Sequence, residues 1–464
     1  MKNWLLFFIL IKASSVIAQQ SVPVFNNRTD SIEYANLQVA IQDTFKRERT
    51  AESAQELDSL FKLQFALREK IIGYKTIYTP DKTFTSYEDL FSGKVNPVTV
   101  TKLSLSGGYT KIPKNIISCT NLEELELVNT NVKKLPKSLA RLPKVKSIYV
   151  YNNQTKRPLK LGKNNVTKEL LLRGMEADAL PKSYKKFSSL EELDLSRNIG
   201  LTSFPDVYQN KKLKKLNLLE NNLTLTDLKP IPHTSLIELN LQKNKIQKIP
   251  DAIGNFTSLK KLSLNYNEIT EVSENIGALT ELEEMSFYHN KLKSIPPGVY
   301  DLSSLKTIDL YYNEIERVDP EISKLKNLEI LYLSNNQLVS IPDDISELTN
   351  LRELYLSNNR LFMLPVSLGA LKRLTILRVN DNKLSDFPDF IFDLPVIENI
   401  DISANNISVI PSKVTELPKL SLFVLVDNPV NKDEVNISKI IEDLTAKGTI
   451  VHQNSVPIKI SNTP

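Results

Sequence analysis

The chain has 464 residues, 41% hydrophobic and 24% charged, with 68 Leu, 42 Asn and a single Cys. That much Leu excludes a disordered bulk, and one Cys excludes an intrachain disulfide framework or a cysteine-based zinc cluster. The net charge of +5 falls to +3 without Lys2 and Lys12 (57 basic against 54 acidic), so the basic excess of a nucleic-acid binder is missing. At roughly 150 residues per domain, length alone suggests about three domains.

Residues 1–18, MKNWLLFFILIKASSVIA, read as a signal peptide. Lys2 supplies the positive n-region, and Trp4 to Ile11 form an apolar h-region too short to span a bilayer. Val16 and Ala18 occupy the −3 and −1 places of a cleavage site, leaving Gln19 first. A cut before Gln-Gln resembles signal peptides of Bacteroidetes-type bacteria. No later segment has the length of a transmembrane helix. The sequence therefore predicts an exported protein without a transmembrane segment, in the periplasm, on the cell surface or in the medium.

Residues 19–97 read as a mostly helical cap region. Asp30 with Glu33 fits a capping box ahead of Ile32, Ala35 and Val39. Thr50 caps a second predicted helix, with Leu57, Leu60, Phe61, Leu67 and Ile71 at helical spacing and Gly73 as its stop. Tyr78-Thr-Pro80 and Asn96-Pro97 read as turns.

From about residue 98 to 430 one frame repeats. Aligning LRELYLSNNRLFMLP from Leu351 with LEILYLSNNQLVSIP from Leu328 gives a period of 23. First positions fall at Val100, Leu122, Val145, Thr167, Leu190, Leu213, Leu236, Leu259, Leu282, Leu305, Leu328, Leu351, Leu374, Ile397 and Leu420: fifteen units, 22 or 23 residues apart. In the unit at Leu328, Leu331 and Leu333 point inward and Tyr332 outward, as a strand with one buried face requires. Asn recurs at the ninth position, as at Asn290, Asn313 and Asn336, where its side chain can satisfy backbone groups as the strand turns away. The Pro of Ile249-Pro250 and Ile341-Pro342 ends pairing, because it lacks an N–H. No single unit can bury its apolar face; stacked neighbours form one core.

This frame, LxxLxLxxNxLxxLPxxIxxLxx, resembles the leucine-rich repeat in its 23-residue "typical" form. It is similar to the Ras-group scaffold class, which lacks an export signal. The resemblance implies an α/β solenoid: a horseshoe with a parallel concave β-sheet and an irregular or 3-10 convex side. A helical N-terminal cap and a helix-strand C-terminal cap should close its ends. Residues 153–167 and 225–236 break the frame, the first lacking its usual core Leu, and are expected to form irregular convex loops. Residues 431–464 read as the C-terminal cap, with a helix from Asp433 to Lys447 ending at Gly448 and a final strand near Thr449–His452.

Motifs for chemistry are missing. There is no phosphate loop, dinucleotide fingerprint, H-E-x-x-H or CxxC. Cys119 stands where other units place Leu142, Leu279 or Leu348, and reads as core rather than nucleophile. His233 takes a core-type slot, and the three His are scattered. The prediction is a protein that is not an enzyme and needs no cofactor. An enzymatic site in 19–97 is a minor alternative, since that segment holds neither His nor Cys.

One feature is concentrated. On the concave side, position 5 holds Tyr332 and Tyr355, position 7 holds Tyr288 and Tyr311, and position 8 holds Tyr266, His289 and Tyr312. Asp309, Glu329, Arg352, Glu353 and Arg378 surround them with mixed charge. A rigid Tyr-rich patch with a charged rim suits protein recognition. Strand propensity and cross-strand Tyr pairing are the competing structural account. The candidate ligand-binding residues are Tyr266, Tyr288, His289, Tyr311, Tyr312, Tyr332, Tyr355, Asp309, Arg352 and Arg378, for a protein ligand or alternatively a glycan. A smaller concave pair is Tyr149 and Tyr151, while Lys214, Lys215, Lys260 and Lys261 read as a solvated edge.

Overall fold

The structure, a computed structural model, describes residues 19–25, part of 33–63, 71–175, 182–430 and 435–453. The predicted signal peptide, Asp30, Thr50 and Asp433 lie outside the described residues. The chain divides into two compact units, residues up to Val132 with Tyr149–Gln154, and Lys133–Ile148 with the remainder.

In the first unit, Gln19–Phe25 pairs antiparallel with Ile71–Tyr78. The helix predicted to run to Gly73 is thereby corrected: Ile71 and Gly73 lie in a strand, the latter opposite Val24. The IIGYKTIY stretch is rich in β-branched and aromatic residues, and its strand propensity outweighs the helical spacing of the Leu residues before it. Helix is present nearby, with Leu37 and Ile41 buried. Tyr87–Phe91 forms a short helix whose N-cap, Ser86, accepts from the Asp89 N–H at 3.2 Å. The predicted turn at Asn96-Pro97 is a 3-10 turn, with Asn96 Oδ1 accepting from Val98 N at 3.2 Å. The strands Thr85–Ser86, Lys102–Ser106 and Glu124–Val128 then run parallel.

The second unit is a solenoid. Strands such as Glu284–Ser286, Thr307–Asp309, Ile330–Tyr332, Glu353–Tyr355 and Ile376–Arg378 are parallel and paired in chain order. Equal repeat positions face each other, so Asp309, Tyr332, Tyr355 and Arg378 form one row. From Glu192–Asp194 onward the concave strands span positions 3 to 5, and position 8 is left-handed in every unit: Tyr266 at φ 54°, His289 at 56°, Tyr312 at 55°, Asn335 at 55°. The turn that begins there carries the chain to the convex side.

The ninth-position Asn fills that turn. Asn313 Nδ2 donates to Phe287 O at 3.0 Å in the preceding unit and to Leu310 O at 3.1 Å in its own, while its Oδ1 accepts from Leu292 N at 3.1 Å. Asn290 and Asn336 repeat the same three bonds. Beyond the Asn, the LP step leads into a 3-10 turn: Pro342 precedes Asp343–Glu347, which buries Ile345. Convex turns pack closely enough that a Cβ on Gly298 would stand 2.2 Å from Glu274 O.

The two irregular stretches are filled differently. Residues 153–167 do contribute core, since Leu159 and Leu161 are buried, which corrects the expected loss of core Leu. There Asn164 Oδ1 accepts from the backbone N–H of Val166 and Thr167. In 225–236 the imidazole of His233 is buried and stacks on Phe256 at 6.1 Å, and burial lowers its pKa. Cys119 is fully buried, and burial pushes its thiol pKa up. Val435–Ala446 is the C-terminal helix, and Ile450–His452 the final strand, paired with Leu422–Val424.

Replacing Asn313 with Ala strips buried partners from two carbonyls and one N–H. At ~1 kcal/mol or more per orphaned group, Asn313→Ala is expected to cost roughly 3 kcal/mol. Denaturant unfolding measures it; a loss below about 0.5 kcal/mol would show that the ladder is dispensable.

Candidate functional site

The aromatic residues assemble on the concave face of the second unit in two groups. In the first, Tyr288 stacks on Tyr311 at 5.5 Å and 27°, and Tyr266 on His289 at 5.0 Å and 26°. Edge contacts join the pairs, Tyr266 to Tyr288 at 5.0 Å and Tyr288 to Tyr312 at 5.8 Å, and Tyr311 meets Tyr312 at 4.5 Å. The second group is Tyr332 stacked on Tyr355 at 4.6 Å and 20°, with the Arg378 guanidinium 5.8 Å from the Tyr355 ring. Such contacts contribute about 0.5–1.5 kcal/mol each beyond area burial and hold the rings in place.

Tyr266 and Tyr312 are 42% and 45% exposed, enough to leave ring surface open to a ligand. His289 is also exposed, while Tyr288, Tyr311, Tyr332 and Tyr355 are half-buried. Burial pushes the Tyr311 and Tyr332 hydroxyls up to about 12, and those of Tyr288 and Tyr355 upward as well. All four stay protonated near neutral pH and can donate. Tyr355 already donates to Glu353 Oε2 at 2.7 Å. Asp309 lies in the same row, accepting from Ser286 Oγ at 3.0 Å and Tyr311 N at 3.0 Å, and burial raises its pKa.

Arg352 is placed differently from the other candidates. It sits on the flank, exposed, 3.9 Å from Glu329. Ser286, Asn335 and Lys243 are neighbours that sequence reasoning missed. Lys243 lies 5.9 Å over the Tyr266 ring. Asn335 lies beside Tyr311, whose hydroxyl its side-chain amide faces. A reading of the rows one unit either side of the tyrosines would have found all three.

Position 8 bears on the competing account. Its left-handed backbone favours Gly, Asn or Asp; Gly107, Asn129, Asn152, Gly174, Asn335, Asn358, Asp381 and Asp427 comply, while Arg197, Glu220, Lys243 and Ala404 do not. Tyr266, His289 and Tyr312 do not comply either, are the aromatic or imidazole members of that run, and stand outside the strands. Strand propensity therefore explains none of the three.

Several other concave residues are already engaged. Asp194 is buried against Arg173 and accepts from Ser196 Oγ at 2.6 Å. Burial raises its pKa, but the Arg173 charge and these bonds outweigh that and hold it low. Tyr149 and Tyr151, expected on an open face, are buried in the first unit. A strap of residues 78–84 covers them, with Tyr78 5.5 Å from Tyr151 and Phe84 6.4 Å from Tyr149. Under the strap, Glu126 is fully buried and accepts from Asp81 N at 3.4 Å. The edge lysines pair across units: Lys214 with Glu191 at 3.1 Å, Lys215 with Glu238 at 3.0 Å, and Lys260 with Glu283 at 3.2 Å. Among the described residues no cluster of three or more His, Cys, Asp or Glu could hold a metal ion, and no helix is long and apolar enough to cross a membrane.

Comparison with known proteins agrees with the fold. Residues 303–361 match the family described as leucine rich repeat, and residues 234–277 match leucine rich repeats in two copies. No curated protein matches the chain. Among solved structures, a leucine-rich-repeat protein of Leptospira interrogans is 27% identical over 79% of this chain and 99% of its own, with a TM-score of 0.64. The leucine-rich-repeat ectodomain of a plant membrane receptor kinase from Arabidopsis thaliana, in complex with a Casparian strip integrity factor, is 25% identical over 77% of this chain and 46% of its own, with a TM-score of 0.54. An internalin from Listeria monocytogenes shares the fold at 18% identity and a TM-score of 0.50, over 78% of this chain and 88% of its own. The repeat fold is that of leucine-rich-repeat proteins.

Glu126 yields a pH dependence. Burial pushes its carboxyl up to about 7 from 4.5. The fold thus favours the protonated form, so this contribution to stability is full below about pH 4.5 and is lost as pH rises through about 7. Between pH 5 and 8 the melting temperature should fall, and Glu126→Gln should flatten that part of the curve. An unchanged slope in the variant would remove Glu126 as its source.

Proposed function

We propose that this chain is an exported, non-catalytic binding solenoid that recognises a protein ligand through its tyrosine face. The observation that carries this reading is the triplet Tyr266, His289 and Tyr312. Bulky rings occupy a left-handed backbone position where small polar residues are cheaper by about 1 kcal/mol or more each. Arg197, Glu220 and Lys243 fill the same position in the preceding units and pair with one another, whereas the Tyr266 and Tyr312 rings stay exposed, so the contribution of the triplet is sought in contact with something outside the chain. Stacking fixes the rings, so little side-chain entropy is lost when a partner covers them. Asp309 and Arg378 give the patch both signs of charge near its centre, and Arg352 adds a cation on its flank.

Export is supported by the N-terminal sequence. Cleavage before Gln19 leaves the strand Gln19–Phe25 whole. The Arabidopsis ectodomain, bound to its integrity factor, is a similar fold put to ligand recognition.

Changing Tyr288, Tyr311, Tyr332 and Tyr355 together to Ala should abolish capture of a partner from neighbouring cells or host extract, with the solenoid still folded by circular dichroism. Retained affinity in the quadruple variant sinks the site assignment. Glycan-array binding with no protein partner would replace the protein ligand by a carbohydrate.

A further inference from the structure

A pattern of three residues occurs twice along the fifth repeat position. In the units at Val100, Leu122 and Val145 that position holds Ser104, Glu126 and Tyr149. In the units at Leu282, Leu305 and Leu328 it holds Ser286, Asp309 and Tyr332. No other three consecutive units read Ser, acid, Tyr at this position. Both sets lie on parallel strands, with Ser104 opposite Glu126, Ser286 opposite Asp309, and Asp309 opposite Tyr332.

What differs is the cover. The first set lies beneath the chain's own residues 78–84, so Ser104, Glu126 and Tyr149 are 4%, 0% and 3% exposed. The strap is held by its backbone as well as its rings. Asp81 N–H points at both Glu126 carboxylate oxygens at 3.4 Å, and the Tyr78 carbonyl accepts from Asn129 Nδ2 at 3.0 Å. Asn129 is a position-8 residue with φ 53°. Pro80 lies between these contacts and helps to keep the backbone extended.

The second set has the same kinds of group with no segment over them among the described residues. Ser286, Asp309 and Tyr332 are half-buried. Asp309 has lone-pair capacity beyond its two bonds. Asn335, again at position 8 with φ 55°, holds its amide beside the Tyr311 hydroxyl, where the amide N–H is directed at that face.

We infer that the tyrosine face takes an extended peptide segment in the manner of residues 78–84. A backbone N–H of the segment is donated to Asp309, a backbone carbonyl accepts from Asn335, and aromatic side chains lie on Tyr332 and Tyr311. Asn335 stands one strand further along than Asn129 does relative to the acid, so the segment crosses the strands more obliquely. This rests on the tyrosine face being a binding surface, and it adds the form of the ligand: extended backbone bearing aromatic residues.

The probe is a synthetic peptide with the sequence of residues 76–86, TIYTPDKTFTS, titrated into the mature full-length protein. Saturable binding is expected by about 1 mM, with NMR shifts at Asp309, Tyr332 and Asn335. Tyr332→Ala and Asp309→Asn should each weaken it about tenfold or more. Methylating the peptide nitrogen at the place of Asp81 removes the N–H and should do the same. Unchanged affinity of the methylated peptide overturns the backbone contact. Shifts confined to Glu126 and Tyr149 would mean that the probe only displaces the strap, and would overturn the second site. Absence of binding, while the four-tyrosine variant still loses its protein partner, overturns the peptide form and leaves the tyrosine face as a binding surface.

Discussion

The structure depends on one repeated side chain. Each unit must turn away from the sheet and return along the convex side, which leaves sixth-position carbonyls of two successive units and an N–H of the preceding unit to be satisfied. The ninth-position Asn meets all three at 2.9–3.1 Å in the units of Asn290, Asn313 and Asn336. Two of its bonds cross to the preceding unit, so the amide is both a local turn device and an inter-unit tie. Leu and Ile supply the hydrophobic driving force, about 1.5–3 kcal/mol per buried side chain. The Asn fixes how far each unit is advanced on the last.

That constraint also places the site. The left-handed residue just before the Asn ends the strand and projects its side chain at the rim of the concave face. With small residues there the rim is plain. With Tyr266, His289 and Tyr312 it becomes a second tier of rings beside Tyr288 and Tyr311, in contact at 4.5–6.1 Å. The rows are set by register, so the cluster needs no loop to hold it.

Most of the fold was legible in the sequence because the period averages over fifteen copies. The core Leu, the Asn, the LP step, the C-terminal helix and final strand, the buried Cys119 and His233 all follow from position within the unit. What escaped does not repeat. Ile71–Tyr78 pairs with Gln19–Phe25, a contact between segments about fifty residues apart that no local spacing announces. The strap over Tyr149 and Tyr151 is of the same kind: a concave position looks open in sequence until another part of the chain is known to lie on it. Leu159 and Leu161 escaped because this 22-residue unit, one short of the frame, carries its core Leu out of register. Of the candidate site, the tyrosine rows were legible as columns of the repeat. Arg352 was not, because position 2 lies on the flank, where Glu329 rather than a tyrosine is its neighbour.

Charge is arranged so that little of it is free at the flank. Lys214 bridges to Glu191, which also takes Lys168 at 2.8 Å, and Glu283 takes both Lys260 and Lys306, each pair one unit apart. These exposed pairs contribute little to stability, on the order of 0–1 kcal/mol each. Their consequence is electrostatic: alternating Lys and Glu in successive units cancel the field that a lysine row would project. The tyrosine face itself is neutral at its rings, since burial keeps the hydroxyls protonated. At the proposed site, recognition would then come from ring area and hydrogen bonds at fixed places, with Asp309 and Arg378 setting orientation. A partner held that way is selected by shape and backbone geometry, and its affinity should depend far less on salt than that of a ligand drawn in by charge.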